Sequence, residues 1–234
     1  MCGRYRIKDT DLLTAHLRRT FGIPDWVMAP RYNIAPSQSL PVISRNVAGE
    51  AVVTPMRWGF VPFWGKSPKP KVAPINAQSE KVATNGLFRS ALQRHRCVVP
   101  ADGFYEWLRL DESTKAPFDI HLRDGRPFFM AGVFEPATES RPVTYAILTT
   151  AANTLVARIH SRMPAILDEA EAHRWLTPGP IAAEEVATLT EPHPAEDMAA
   201  VPVSTLVNSP RHDLPECLAP MDFVPPPVQR ELFD

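Results

Sequence analysis

Short apolar runs broken by turn residues recur along the chain, the pattern of many brief strands with a few helices between them. Residues 3–7 read as a first strand. Residues 40–44 and 51–58 read as a pair joined at Ala48-Gly49, and Pro41 and Pro55 are expected to confine them to edges or bulges. Later strands are expected at 96–99, 103–110, 118–122, 128–134, 144–149 and 201–204. Helical periodicity appears in fewer places. Thr10 or Asp11 caps a helix to about Arg19, with Leu12, Leu13, His16 and Leu17 as its stripe and Gly22 and Pro24 as its stop. His16 reads as a packing or surface residue. Other helices are expected over 87–95, capped near Asn85 or Gly86, over 168–175, capped by Asp168, and from Pro180 or Ile181 to about 188.

Some stretches depart from this pattern in ways that bear on chemistry. Residues 58–71 carry Trp58, Phe60, Phe63 and Trp64 among glycines and prolines, followed by Lys66, Lys69 and Lys71, and read as a loop. Aromatics beside lysines suit base stacking with phosphate attraction, and equally suit a core plug under a solvated loop. Asn76, Gln78 and Glu80 alternate, so a strand would place all three on one face. Within 103–107, Phe104 and Glu106 fall on one face and Tyr105 and Trp107 on the other. A carboxylate among aromatics is a candidate acid, base or amine-orienting group, or half of a structural ion pair. His160 has a reference pKa of about 6.5, suited to proton transfer, although nothing local separates it from a structural histidine.

Length changes the picture little: 234 residues suit one large domain with a substantial core. Charge changes it more. The net of −1 hides a split, because residues 1–100 hold 15 Lys and Arg against 5 Asp and Glu, and residues 101–234 hold 10 against 21. One basic face on a neutral protein is compatible with that asymmetry, as is mutual cancellation in space. Cys2, Cys97 and Cys217 are too widely spaced for a zinc pair or a disulfide framework and read as free thiols. Cys97 belongs to a core strand, and Cys217 to a Pro-rich tail from about 209 to 234. No metal-ligand spacing, phosphate loop or internal repeat is present, so neither metal nor cofactor is expected. Arg4, Arg6, Lys8, Asp9 and Asp11 interrupt any apolar leader, and no stretch is long enough for a membrane span. A cytoplasmic setting and a monomer follow.

The amino end then stands out. Cys2 and Gly3 are small, so removal of Met1 by an aminopeptidase would leave Cys2 as the first residue. An N-terminal cysteine carries an α-amine of pKa about 8 and a thiol of pKa about 8.5. That pair can condense with an aldehyde to a thiazolidine, or the thiol can attack an amide with the amine as base. A loose terminus with an accidental cysteine would do neither.

Seven segments together resemble the family called SOS-response-associated peptidase, the abasic-site processing proteins. They are Met1-Cys2-Gly3-Arg4-Tyr5, Arg31-Tyr32-Asn33-Ile34-Ala35-Pro36, Trp58-Gly59, Ile75-Asn76-Ala77, Ala101-Asp102-Gly103-Phe104-Tyr105-Glu106-Trp107, Leu148-Thr149-Thr150-Ala151-Ala152-Asn153 and His160-Ser161-Arg162-Met163-Pro164. The resemblance spans about residues 2–208 and implies a single α+β domain, with a mixed, mostly antiparallel sheet core, peripheral short helices and a groove for single-stranded DNA. It further implies that Cys2 captures the ring-opened aldehyde of an abasic site. Asn76 would bond the opened sugar or the linkage, Glu106 would position or deprotonate the Cys2 amine, and His160 would pass protons. Arg4 and Asn33 would contact the DNA backbone, and Trp64 or Phe63 would support neighbouring bases. Gln78 stands where the family usually has Arg, which implies weaker phosphate binding there, with Lys71 or Lys81 contributing. A thiol peptidase and a non-catalytic single-stranded DNA binder are the competing expectations.

Overall fold

The computed structural model describes residues 2–24, 26–64 and 73–223. Its strands are β1 (Tyr5–Ile7), β2 (Arg31–Ile34), β3 (Ser39–Arg45), β4 (Ala51–Trp58), β5 (Asn76–Gln78), β6 (Arg96–Ala101) and β7 (Gly103–Arg109). They continue as β8 (Lys115–Leu122), β9 (Phe128–Glu135), β10 (Thr144–Ala151), β11 (Arg162–Pro164), β12 (Ile166–Leu167) and β13 (Met198–Pro202). Short helices lie between them: α1 (Thr10–Phe21), α2 (Ser79–Val82), α3 (Arg89–Arg94), α4 (Glu169–Trp175) and α5 (Ala183–Leu189). The α+β class and the mixed, mainly antiparallel pairing are therefore as expected.

One sheet closes on itself. β4 pairs with β3, β3 with β6, β6 with β9 and β9 with β10, all antiparallel, and β10 returns to β4 in parallel. β10 then carries β5 and β11 on its two edges further along. All of β6 and nearly all of β9 are buried, because the ring interior takes one face and α4 covers the other. Trp175 of α4 donates its Nε1 hydrogen to the carbonyls of Cys97 and Gly132, at 3.0 and 3.1 Å. Gly132 is the partner of Cys97 across the β6–β9 ladder, and a Cβ there would lie 2.9 Å from the Cys97 sulfur. Cys97 is a core residue, as read.

Pro41 and Pro55 do not mark an edge. They face each other in the middle of the β3–β4 ladder, one step from the Leu40–Met56 pair. Trp58 N donates to Gln38 O, which sets the alternation so that the Pro41–Pro55 pair is one whose backbone nitrogens point away from each other. β6 reaches β3 only at Ile43 and Ser44, and β10 reaches β4 only at Arg57 and Trp58, so no neighbouring ladder needs the two missing donors.

The second sheet is antiparallel throughout, in the order β13–β8–β7–β1–β2. Arg6 of β1 is 1% exposed and pairs with Asp119 at 2.7 and 2.9 Å and with Asp102. The second Asp102 oxygen accepts the Lys8 and Asp9 amides at 2.7 and 2.8 Å, and His121 Nδ1 lies 2.8 Å from Asp119. Asp9, one residue before the expected caps, caps α1 by accepting from Leu12 N. His16 packs in the core, stacked 4.6 Å from Phe129. Of the lysines after Trp64, Lys66, Lys69 and Lys71 lie outside the described residues.

The stretch after residue 208 is not a tail up to Phe223. Asp213 accepts the amide hydrogens of Tyr32 and Asn33 at 2.6 and 2.8 Å and pairs with Arg31. Cys217 is fully buried beneath it with Tyr105, Val203 and Val207, in a small second core. Prolines marked where regular structure stops and concealed that the irregular chain still packs.

Candidate functional site

β1 lies between β2 and β7, with Tyr5 opposite Phe104 and Arg6 opposite Gly103. Tyr105 N donates to Arg4 O at 3.0 Å, so the pairing continues outward and brings Gly3 opposite Glu106. The residues just before β1 are thereby laid along the strand that carries the carboxylate. Cys2 is fully buried there, its thiol directed at Arg4 O at 3.8 Å. Its carbonyl accepts from Asn76 Nδ2 at 2.8 Å. Asn76 opens β5, opposite Ile147 of β10, so this bond ties the antiparallel sheet to the ring at Cys2. A second tie lies beneath it, where the Tyr5 and Tyr145 hydroxyls meet at 2.9 Å. Asn76 Oδ1 is buried with no hydrogen-bond partner among the described residues.

Glu106 is 3% exposed. Burial pushes its pKa up, against the positive charges of the amino terminus and His160. Burial, with the Glu106 charge beside it, also holds the Cys2 thiol well above the ordinary thiol range. The resting site therefore holds a neutral thiol next to a carboxylate that takes up a proton more readily than usual. His160 follows a 3-10 turn, Val156–Arg158, and its Nδ1 accepts from Arg162 N at 3.0 Å. The same nitrogen lies 3.2 Å from the Arg162 carbonyl, so both backbone polar groups of Arg162 hold the ring in place.

Arg162 was not singled out as a site residue from the sequence. Its guanidinium pairs with both Glu80 oxygens at 2.6 and 2.8 Å and also donates to Thr149 O. Thr149 is the partner of Gln78, so Arg162 brings a cation to the strand position where Gln78 carries none. The sequence signal was its place two residues after His160. Glu80 does not share a strand face with Asn76 and Gln78, because β5 stops at Gln78 and Ser79 begins α2. Gln78 is exposed, as is Lys81.

Arg4 and Asn33 are brought together, though one of them lies beneath the surface. Asn33 is fully buried, its Oδ1 accepting from Arg4 Nη1 at 2.9 Å and its Nδ2 donating to the carbonyls of Val207, Ser209 and His212. Arg4 donates further to Val207 O at 2.7 Å and lies 6.0 Å from the Trp107 ring. Trp64 is half exposed, edge-on to Phe63 with centroids 4.9 Å apart. Arg141 holds the preceding backbone by donating to the carbonyls of Pro62 and Phe63 at 2.6 and 3.1 Å. The two aromatics border a cleft of about 750 Å³ whose other wall is Ala83, Gly86 and α3. Among the described residues no cluster of three or more His, Cys, Asp or Glu could hold a metal, and no helix is long and apolar enough to cross a membrane.

A closed sheet and a flanking antiparallel sheet meet at a buried cysteine of the amino end, which has the Asn76 amide on its carbonyl and the Glu106 carboxylate within reach of its thiol. Comparison with known proteins identifies the family. Residues 1–210 match the family described as SOS response associated peptidase (SRAP), and the chain belongs to that family. It is 38% identical to the abasic site processing protein YoqW of Bacillus subtilis, over 93% of this chain and 99% of that protein. With the abasic site processing protein HMCES of Rattus norvegicus it shares 33% identity, over 96% of this chain and 77% of that protein. Among solved structures, a Bacteroides thetaiotaomicron protein superposes with a TM-score of 0.74 at 23% identity, over 94% of this chain and 100% of that one, which supports the fold. A phage-related protein of Bordetella bronchiseptica gives 0.70 at 26% identity, over 86% of this chain and 94% of that one.

Proposed function

We propose that this protein acts on abasic sites in single-stranded DNA, and that Cys2, freed by removal of Met1, captures the ring-opened aldehyde. The observation that carries the reading is the placement of Cys2, its carbonyl held by Asn76 at 2.8 Å and its thiol beside the charge of Glu106, which His160 in turn acts on. Relatives named as abasic site processing proteins align over nearly all of the chain.

The amine attacks the aldehyde carbon, and the carbinolamine loses its hydroxyl as water to leave an imine. The thiol then adds to the imine carbon, forming the C–S bond, and its proton ends on the ring nitrogen. One water is released overall. Glu106 takes the proton from the attacking amine and relays that of the thiol, a role suited to a carboxyl with raised proton affinity. His160, its ring held at Nδ1 by the Arg162 backbone, delivers the proton to the departing hydroxyl. Asn76 fixes the Cys2 carbonyl so that amine and thiol stay on one side. Arg4 meets the strand's phosphates with Asn33 as the strut behind it, Gln78 adds a neutral hydrogen bond, and Trp64 supports a base beside the lesion.

The test is a denaturing gel and an intact-mass measurement after mixing protein with an oligonucleotide carrying one abasic site. A covalent species is expected at the mass of the Met1-less protein plus DNA minus one water, absent from Cys2→Ala. A protein confirmed to lack Met1 that forms no adduct would end this reading in favour of passive binding. Cleavage of a fluorogenic peptide dependent on Cys2 would instead point to a peptidase, a role for which a buried, protonated thiol is poorly prepared.

A further inference from the structure

Helix α3 borders two cavities. Its Arg89, Ser90, Gln93 and Arg94 line the cleft beneath Trp64, and Gln93 and Arg94 also line a separate pocket of about 270 Å³ at its end. The far walls of that pocket are Arg45 at the end of β3, His95, Arg96 at the start of β6, and residues 176–179. Among the described residues no carboxylate lines it. Two carboxylates lie near it: Glu50 accepts from Asn46, a residue of the lining, at 2.9 Å, and Glu185 pairs with Arg174 at 2.7 Å and reaches Arg96 only through its field.

The three guanidiniums differ in what they can still offer. Arg96 is buried and donates to the carbonyls of Trp175, Leu92, Gly179 and Thr177, so its hydrogen bonds are satisfied by dipoles while its charge has no ion-pair partner among the described residues. Arg45 donates to Gly49 O at 2.8 Å and approaches His173 Nδ1 at 3.4 Å, but its Nε is buried with no hydrogen-bond partner. Arg94 is exposed and makes no side-chain hydrogen bond or ion pair among the described residues. Three like charges around one small cavity repel each other, and a phosphate oxyanion matches both the missing charge and the guanidinium fork. The volume suits a single phosphate group better than a whole small-molecule ligand, whose pockets run from about 300 to 1,000 Å³.

We propose that this pocket seats a backbone phosphate of the bound DNA strand: a strand whose base stacks at Trp64 continues along α3 and places a phosphodiester among Arg45, Arg94 and Arg96. The inference rests on the reading of the Trp64 cleft as part of a DNA surface.

The test uses the Cys2→Ala protein and fluorescence anisotropy. One oligonucleotide covers only the lesion and its immediate neighbours, and two others extend it by about six nucleotides in one direction each, a length typical of a single-strand groove. One extension is expected to tighten binding about fivefold to tenfold and to steepen the dependence of log K on log salt by about 0.7 per added phosphate contact. Arg45→Gln should remove that increment and leave both affinity for the short oligonucleotide and its capture by the Cys2-containing protein unchanged. Arg94→Gln, at an exposed position where folding is not at stake, should reduce the same increment. Equal affinity for all lengths, or an increment that survives both substitutions, overturns the proposal. So does thermal protection by inorganic phosphate with no length increment, which would make the pocket a site for free phosphate. Failure of the unsubstituted protein to capture the short oligonucleotide would count against the DNA-capture reading alone, because the length increment is read without capture.

Discussion

Substituting Gly103 by alanine tests how Cys2 is held in place. A Cβ at Gly103 would lie 2.5 Å from Cζ of Arg6 and 2.6 Å from Nε and Nη2. Ordinary contact begins near 3.4 Å, so the guanidinium must retreat by about 0.9 Å. It has nowhere to go, since Nε and Nη2 are bonded to Asp119 at 2.7 and 2.9 Å and Nη1 to Asp102. Adding 0.9 Å to those bonds carries them to or past the limit of a useful hydrogen bond. Breaking a buried ion pair costs about 3–5 kcal/mol and overpacking alone about 1–3, so a loss near 3 kcal/mol is expected. For a chain of this size that is a fall in Tm of about 6–12 °C. Urea and thermal unfolding measure it, with Gly86→Ala, where a Cβ meets nothing within 4 Å, as the neutral control. Arg6 and Gly103 are partners across β1 and β7, so aldehyde capture should weaken along with stability. A Gly103→Ala protein within about 0.5 kcal/mol of its parent would refute the claim that this contact is rigid.

Glu106→Gln should slow capture by about 10²–10⁴ while raising stability at pH 7.5 by about 1 kcal/mol. The raised pKa means that the folded state binds this proton more tightly than the unfolded one, so the cost is present above the folded pKa. It disappears as pH falls below the unfolded carboxyl value of about 4.3, and the two melting curves should converge there. Glu80→Ala releases the Arg162 guanidinium and should tighten non-covalent binding of single-stranded DNA, with a salt slope steeper by about 0.7. Weaker binding would show instead that Glu80 is needed to hold Arg162 and His160. Asp213→Ala strips the Tyr32 and Asn33 amides and Arg31 of their acceptor and should lower stability by about 2–3 kcal/mol in urea titrations.

Much of this was legible in the sequence because it is local. Alternating apolar residues located the strands of the ring, and Gly22, with φ of 66°, ended α1 where expected. The roles of the site residues came from resemblance, and two carried a strong physical signal of their own: Cys2, a thiol one residue from the amino end, and Glu106, a carboxylate among aromatics. Long-range facts were hidden. Nothing near Asn33 foretells that the carbonyls of Val207, Ser209 and His212 consume its amide, so a buried strut and a surface contact look alike in one dimension. Pro41 and Pro55 were misjudged because proline forbids only a donor, and whether a donor is needed depends on which neighbour strand reaches that pair. Cys217 and Asp213 sat among prolines that mark irregular backbone and say nothing of burial.

The first strand hangs from the far end of the chain: Arg4 is bonded to Val207 O, and Asp213 clasps the strand beside it. At about 5–20 residues per second, synthesis of those anchors follows that of Cys2 by roughly 10–40 s. During that interval the amino end has no completed seat. Afterwards the Cys2 side chain is buried and its carbonyl is held by Asn76 of β5. Birth order in the ribosome thus separates the making of Cys2 from the closing of its surroundings, an interval in which the amino end is not yet fixed.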